Sequence, residues 1–159
     1  MADPCVLGVD LGGTAIKLGL FSLQGELLSE HQRPTPQPAT PGSVCVEIVD
    51  AINFLDPDGR AAVVGIGLPG PMDAEARVAR ICINLPGWEE VPLAAWLEPR
   101  LKRSVTLAND GNCALVGEAW KGAAAGCSDV LLLTLGTGVG GGVMRSEERR
   151  VGKECPLLC

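Results

Sequence analysis

Two glycine- and threonine-containing tips and one Asn-Asp pair are the places where residue type and spacing could do chemistry. The first tip is Gly12, Gly13 and Thr14, which follow Asp10 and Leu11 and lie between the apolar runs 6–10 and 15–21. The second is Gly136, Thr137 and Gly138, which follow Thr134 at the end of the apolar run 130–135. Glycine lets backbone N–H groups come close to an anion and converge on it, and a threonine hydroxyl adds a donor with little bulk. Two such tips suggest two facing phosphate clamps. A carboxylate beside phosphate needs a cation between them, so Asp10 implies Mg²⁺ with water in its shell. For Gly12, Gly13 and Thr14 taken alone, an ordinary hairpin turn explains the residues as well.

Asn109 and Asp110 stand after the apolar run 105–108 and ahead of a helical pattern over 111–120. A carboxylate there is kept ionised by the positive end of the helix dipole, yet can take a proton from a substrate hydroxyl. Asn109 offers a donor and an acceptor, which suits a sugar diol. Asx residues are also common N-caps, and the local sequence alone favours that plainer reading. Gly136, Gly138 and Gly141 satisfy G-x-G-x-x-G after a strand, the spacing of a dinucleotide fingerprint. That fingerprint needs a helix to begin inside it; Gly140, Gly141 and Gly142 start a helix poorly, and Val143 and Met144 resume an apolar run. No G-x-x-x-x-G-K-[ST] is present, which excludes a P-loop.

These residues need elements to hold them. The runs 6–10 and 15–21 predict a glycine-containing hairpin, and 27–32 a third strand across the turn at Gln24 and Gly25. The proline-rich segment 33–41 is expected to be a loop. Thr40 then suits an N-cap with Pro41 at the first helical position, and Val44, Ile48, Ala51, Ile52 and Leu55 share one helical face. Residues 62–67 predict a buried strand that ends in the rigid loop of Leu68, Pro69, Gly70 and Pro71. A short helix over 92–101, weakened by Pro99, precedes the strand 105–108. The small residues 122–126 mark a natural domain boundary, which gives a first lobe over 1–122 and the opening of a second over 123–144.

The chain has 159 residues, 47% of them hydrophobic and 20% charged, enough to bury a core but short for a complete two-domain enzyme. Its net charge of -6, with no basic run in the first 144 residues, argues against nucleic acid as a partner. No apolar stretch approaches the about 20 residues of a membrane span, and the N-terminus lacks a basic region, so the cytoplasm is expected. Seven cysteines stand singly, without a CxxC or a neighbouring histidine, and the first five read as reduced, mostly structural thiols. The block 145–155 breaks with its surroundings: four basic and three acidic residues follow a glycine-rich apolar strand. It matches, residue for residue, one reading frame of a common short-read sequencing adapter, so residues 145–159 are expected to be a non-native tail. Without them, 9 Lys and Arg face 16 Asp and Glu, a net charge of -7.

Jointly the motifs resemble the ROK family of sugar kinases. Residues 8–17, GVDLGGTAIK, are similar to its first phosphate motif, and 65–73, GIGLPGPMD, to its substrate-side loop. Residues 84–88, NLPGW, resemble the segment that follows, 109–114, NDGNCA, the catalytic stretch, and 133–142 the second phosphate motif. The resemblance implies an actin/Hsp70/hexokinase-like (ribonuclease H-like) α/β fold: an N-terminal lobe with a mixed sheet, plus the first strands of a truncated second lobe. It implies an ATP- and Mg²⁺-dependent kinase acting on a hexose, typically glucose, with fructose or an N-acylated hexosamine as alternatives. Asp110 would be the general base on the 6-hydroxyl, with Asn109, Asn84 and Gly70 on the sugar. Asp10 would orient the metal. Gly12, Gly13, Thr14 and Lys17 would contact phosphate from one lobe, and Thr134, Gly136, Thr137 and Gly138 from the other. Gly111 and Cys113 replace alanines of many relatives, small changes expected to leave packing intact. The family's further sugar ligands, zinc cluster and adenosine pocket are expected beyond Met144, in a parent that forms a homo-oligomer. Two rivals come from other classes: a ROK-type regulator without catalysis carries a DNA-binding helix-turn-helix ahead of the first strand, and here that strand begins near residue 5. The other is a nucleotide-binding protein of the same superfamily without sugar chemistry, such as a chaperone or filament protein, against which the loop 67–73 with Asn109 and Asp110 speaks.

Overall fold

In the computed structural model, which describes residues 4–82, 84–135 and 139–145, the chain begins with β1 (Cys5–Leu11) and β2 (Ala15–Ser22), an antiparallel hairpin. Alternation sets its faces: Cys5, Leu7, Val9 and Leu11 on β1 and Ile16, Leu18 and Leu20 on β2 are buried, while Asp10 and Lys17 are exposed. β3 (Leu27–Pro34) pairs antiparallel with β2 and runs further than expected. Arg33 and Pro34 were expected in a loop but lie opposite Ile16 and Ala15. Pro34 is tolerated because it ends an edge strand.

Thr40 caps α1 (Pro41–Leu55), its hydroxyl accepting from the Ser43 N–H at 3.3 Å, with proline at the helix start as expected. The buried stripe is Val44, Cys45, Ile48, Ala51 and Ile52, and Leu55 is half-buried beside it. At the far end Asp56 is buried and accepts from the N–H groups of Arg60 and Ala61 and from Arg103 Nη1 at 2.9 Å. The ion pair ties the end of α1 to Arg103, and the two N–H bonds tie it to the start of β4 (Ala61–Leu68), which pairs parallel with β1. Two short strands follow, β5 (Ala79–Ile81) and β6 (Glu89–Val91), which form an antiparallel ribbon. α2 (Leu93–Leu101) packs on α1 and ends at Lys102, whose φ of 54° is left-handed. β7 (Ser104–Asn109) completes a mixed sheet in the order β3-β2-β1-β4-β7. Trp88 is buried, and its indole N–H donates to the Ala39 carbonyl at 2.9 Å.

The chain divides into two compact units, Met1–Ala108 and Asn109–Cys159. The second holds α3 (Asp110–Lys121) and an antiparallel hairpin of β8 (Val130–Leu135) and β9 (Val139–Met144). The division falls ahead of α3. The reason is packing: α3 lies on the hairpin, and a Cβ at Gly142 would come within 2.9 Å of Leu115 Cδ2. Among the described residues no helix is long and apolar enough to cross a membrane.

Candidate functional site

In the first unit the expected phosphate residues cluster at the β1–β2 turn. Asp10 lies opposite Lys17 on β2 and Gly67 on β4, near the end of β1. Leu11 and Ile16 close the pairing, and the Gly12 N–H donates to the Ala15 carbonyl at 3.0 Å, so Gly12, Gly13 and Thr14 form the tip. Gly13 and Thr14 are exposed, and a Cβ on Gly13 would meet nothing within 4 Å. Neither crowding nor a left-handed backbone within the chain therefore requires glycine at 13. Three residues that the sequence did not single out as functional brace this region from elsewhere. Thr35 and Gln37 donate to carbonyls of the tip, and Arg77 braces the loop that follows β4.

That loop carries Gly70, with φ at +114°, where a Cβ would stand 1.9 Å from the Ile81 carbonyl oxygen. Only glycine fits there. Asp73, in the same loop, accepts from the N–H groups of Arg77 at 2.6 Å and Val78 at 2.8 Å, and these bonds, Val78 first, hold its carboxyl below the ordinary carboxylate range. Its carboxylate thus shapes the turn. Arg77 donates to the Val105 carbonyl and to Glu98, and Glu98 accepts the Val105 N–H at 3.0 Å. The Arg77 bond first and the Val105 bond second pull the Glu98 carboxyl down. Together with a bond from the Leu107 N–H to the Ala76 carbonyl, this brace ties the loop to β7. Asn84 is exposed in the turn between β5 and β6.

The second unit holds the Asn-Asp pair. Asn109 is half-buried and is the N-cap of α3, its Oδ1 accepting from the Asn112 N–H at 3.0 Å. The plainer reading of Asn109 is therefore realised in the structure. Asp110 is exposed in the first turn, and its Oδ1 accepts from the Gly111 N–H at 2.7 Å. The position beside it is tighter than expected: a Cβ on Gly111 would approach Asn109 Oδ1 to 3.2 Å and the Gly141 carbonyl to 3.5 Å. Thr134 is exposed on β8 opposite Gly140, where a Cβ would fall 2.6 Å from Thr134 Oγ1. Gly136, Thr137 and Gly138 lie outside the described residues. The continuation as β9 is incompatible with a dinucleotide fingerprint, which needs a helix at that point.

Cys5, Cys45 and Cys82 are buried, and burial pushes the Cys45 thiol up, away from reactivity. Cys113 and Cys127 are exposed, outside the core that the first three help to fill. Among the described residues no three His, Cys, Asp or Glu side chains group as a metal cage.

The chain is 40% identical over 139 residues to a glucokinase of Thermotoga maritima, covering 87% of this chain and 44% of that protein. It is 38% identical to an N-acetyl-D-glucosamine kinase of Escherichia coli O127:H6, covering 92% and 48%. The chain thus spans about half the length of these curated relatives. A crystal structure of a ROK family glucokinase from Streptomyces griseus, in complex with glucose and AMPPNP, matches with a TM-score of 0.85 at 33% identity, covering 94% of this chain and 47% of that one. The fold is the expected actin/hexokinase-like one, and the mixed five-stranded sheet is part of its first lobe. A match to the ROK family runs over residues 6–155, nearly the whole sequence, and the chain belongs to that family.

Proposed function

We propose that the chain is the N-terminal portion of an ATP-dependent hexose kinase that transfers a phosphoryl group to the 6-hydroxyl of its sugar, with glucose as the substrate. The observation that carries this reading is Asp110, an exposed carboxylate in the first turn of α3, a helix whose cap bond is made by Asn109 instead. A carboxylate held there accepts the hydroxyl proton as the sugar oxygen attacks phosphorus. Asn109, Gly70 and Asn84 then orient the sugar. Gly12, Gly13, Thr14 and Lys17 bind nucleotide phosphate, and Thr134 with Gly136, Thr137 and Gly138 forms the second phosphate motif. The likeness to the glucose- and AMPPNP-bound Streptomyces griseus enzyme supports the pairing of sugar with ATP.

Asp10 suits Mg²⁺. One exposed carboxylate beside a phosphate-binding turn fits an ion that keeps most of its water and takes phosphate oxygens as its other ligands. Bound there, the ion would neutralise charge on the phosphates. Asp10 would orient it, and Lys17, opposite on β2, would add a second positive charge. The longer protein is read as a cytoplasmic homo-oligomer whose zinc cluster lies outside residues 1–144.

The test is a coupled assay of the longer protein with MgATP and glucose, fructose or N-acetylglucosamine. The highest kcat/KM is expected for glucose. No ATP-dependent phosphorylation of any of the three would refute the kinase reading. A preference for N-acetylglucosamine is the second reading, favoured by the 38% identity to the Escherichia coli kinase.

A further inference from the structure

We propose that Thr35, assisted by Gln37, is a positioning residue that aims the peptide N–H groups of Gly13 and Thr14 at nucleotide phosphate. The inference rests on the phosphate-binding reading of the β1–β2 turn and adds to it the device that orients the donors. Thr35 stands just beyond the end of β3 and is buried at 4% exposure, an unusual place for a threonine in a segment that would otherwise run over the surface.

All three carbonyls of the tip are held from this one side. Thr35 Oγ1 donates to the Gly12 carbonyl at 2.6 Å, the Thr35 N–H donates to the Thr14 carbonyl at 2.9 Å, and Gln37 Nε2 reaches the Gly13 carbonyl at 3.4 Å. In a planar trans peptide the C=O and the N–H of the next residue point in opposite directions. With the Gly12 carbonyl turned toward Thr35, the Gly13 N–H must point away from it. With the Gly13 carbonyl turned toward Gln37, the Thr14 N–H points away likewise. Neither N–H has an acceptor among the described residues, whereas the Gly12 N–H is used within the turn. Two adjacent undonated N–H groups on an exposed tip are available to donate to one anion. The open space where a Gly13 Cβ would stand lets phosphate oxygens approach them. Without the Thr35 hydroxyl, the first of these peptides loses the bond that sets its orientation. The turn would still close, because the Gly12 to Ala15 bond and the β1–β2 pairing do not involve Thr35.

The test is an amide NMR titration of the 159-residue chain with inorganic tripolyphosphate and Mg²⁺. Saturable shifts are expected at Gly13 and Thr14. Thr35→Val, which keeps the shape and removes the hydroxyl, is expected to weaken this binding by about tenfold, and Thr35→Ser to keep it within about threefold of the original. The rest of the spectrum should not change, which a general loss of structure could not produce. Absence of shifts in the unmodified chain, or affinity in Thr35→Val equal to that of the unmodified chain, would overturn the inference. Should Thr35→Val not fold, the exposed Gln37→Leu decides instead: weakening centred on Thr14 supports the proposal, and an unchanged titration overturns it. If the shifts behave as expected but the longer protein phosphorylates no hexose, the sugar reading fails and the role of Thr35 stands.

Discussion

Either Asn109 or Asp110 could cap a helix, but of the two only a carboxylate can take up a proton. Capping α3 takes an oxygen acceptor facing the Asn112 N–H, and Asn109 supplies it. The carboxylate one residue later is then left exposed in the first turn of the helix. In the longer protein, if it phosphorylates a hexose as proposed, Asp110→Asn is expected to lower kcat by about 10² or more while KM for the sugar changes little. Steady-state kinetics decide this, and an undiminished kcat would remove Asp110 from the chemistry. Gly70 is constrained in a different way. Its φ of +114° and the 1.9 Å approach of a Cβ to the Ile81 carbonyl leave no room for a side chain. Gly70→Ala is expected to destabilise the first unit by about 2 kcal/mol or more, read as a fall in melting temperature.

The loop after β4 is held by charged groups, and its stability should follow their titration. Asp73 and Glu98 both have carboxyls pulled below their ordinary values, Asp73 chiefly by backbone N–H groups and Glu98 chiefly by Arg77. A lowered folded-state pKa means that the contribution is complete above the ordinary carboxylate range and is lost as pH falls through the lowered values. Acidification should therefore loosen the loop and its tie to β7. Amide exchange at Arg77, Val78 and Val105, corrected for intrinsic rates, is expected to quicken at acid pH before exchange in β1 and β2 does. Equal protection at neutral and acid pH would show that these bonds contribute little. Salt should weaken the Arg77–Glu98 part of the effect, because both side chains are partly exposed.

The hairpin of β8 and β9 presents one apolar face without cover. Leu131, Leu133 and Leu135 are 69%, 63% and 82% exposed, and Val139 on β9 is 73% exposed. A surface of this kind drives association. The chain by itself is expected to self-associate, and replacing Leu131, Leu133 and Leu135 together by threonine should shift it toward monomer in light scattering. A monomer at high concentration without those changes would contradict this. The terminal block carries a different expectation. Residues 145–159 lack apolar periodicity, and deleting them is expected to change unfolding free energy by no more than about 0.5 kcal/mol. A larger loss in denaturant melts would show that the block belongs to the fold.

The sequence alone determined the parts that depend on local pattern. Two apolar runs around a glycine-containing turn identified β1 and β2, the Thr40-Pro41 start and helical spacing identified α1, and the glycine run after residue 139 argued against a helix where β9 is found. The order of five short motifs led to the ROK family, since none of them is specific singly. What depends on distant partners was out of reach. β5 and β6 have three residues each, too few for any period to register, and exist because they pair with each other. Pro34 joins β3 because β2 provides a partner on one side only. Nothing local marks Asp56 as buried, yet its carboxylate is paired inside the fold by Arg103, 47 positions along the chain. Thr35 likewise looks like one polar residue in a proline-rich segment until the third strand carries it against the Gly12 carbonyl. Local chemistry chose the turns and the candidate donors, but only tertiary hydrogen bonding chose the direction in which those donors point.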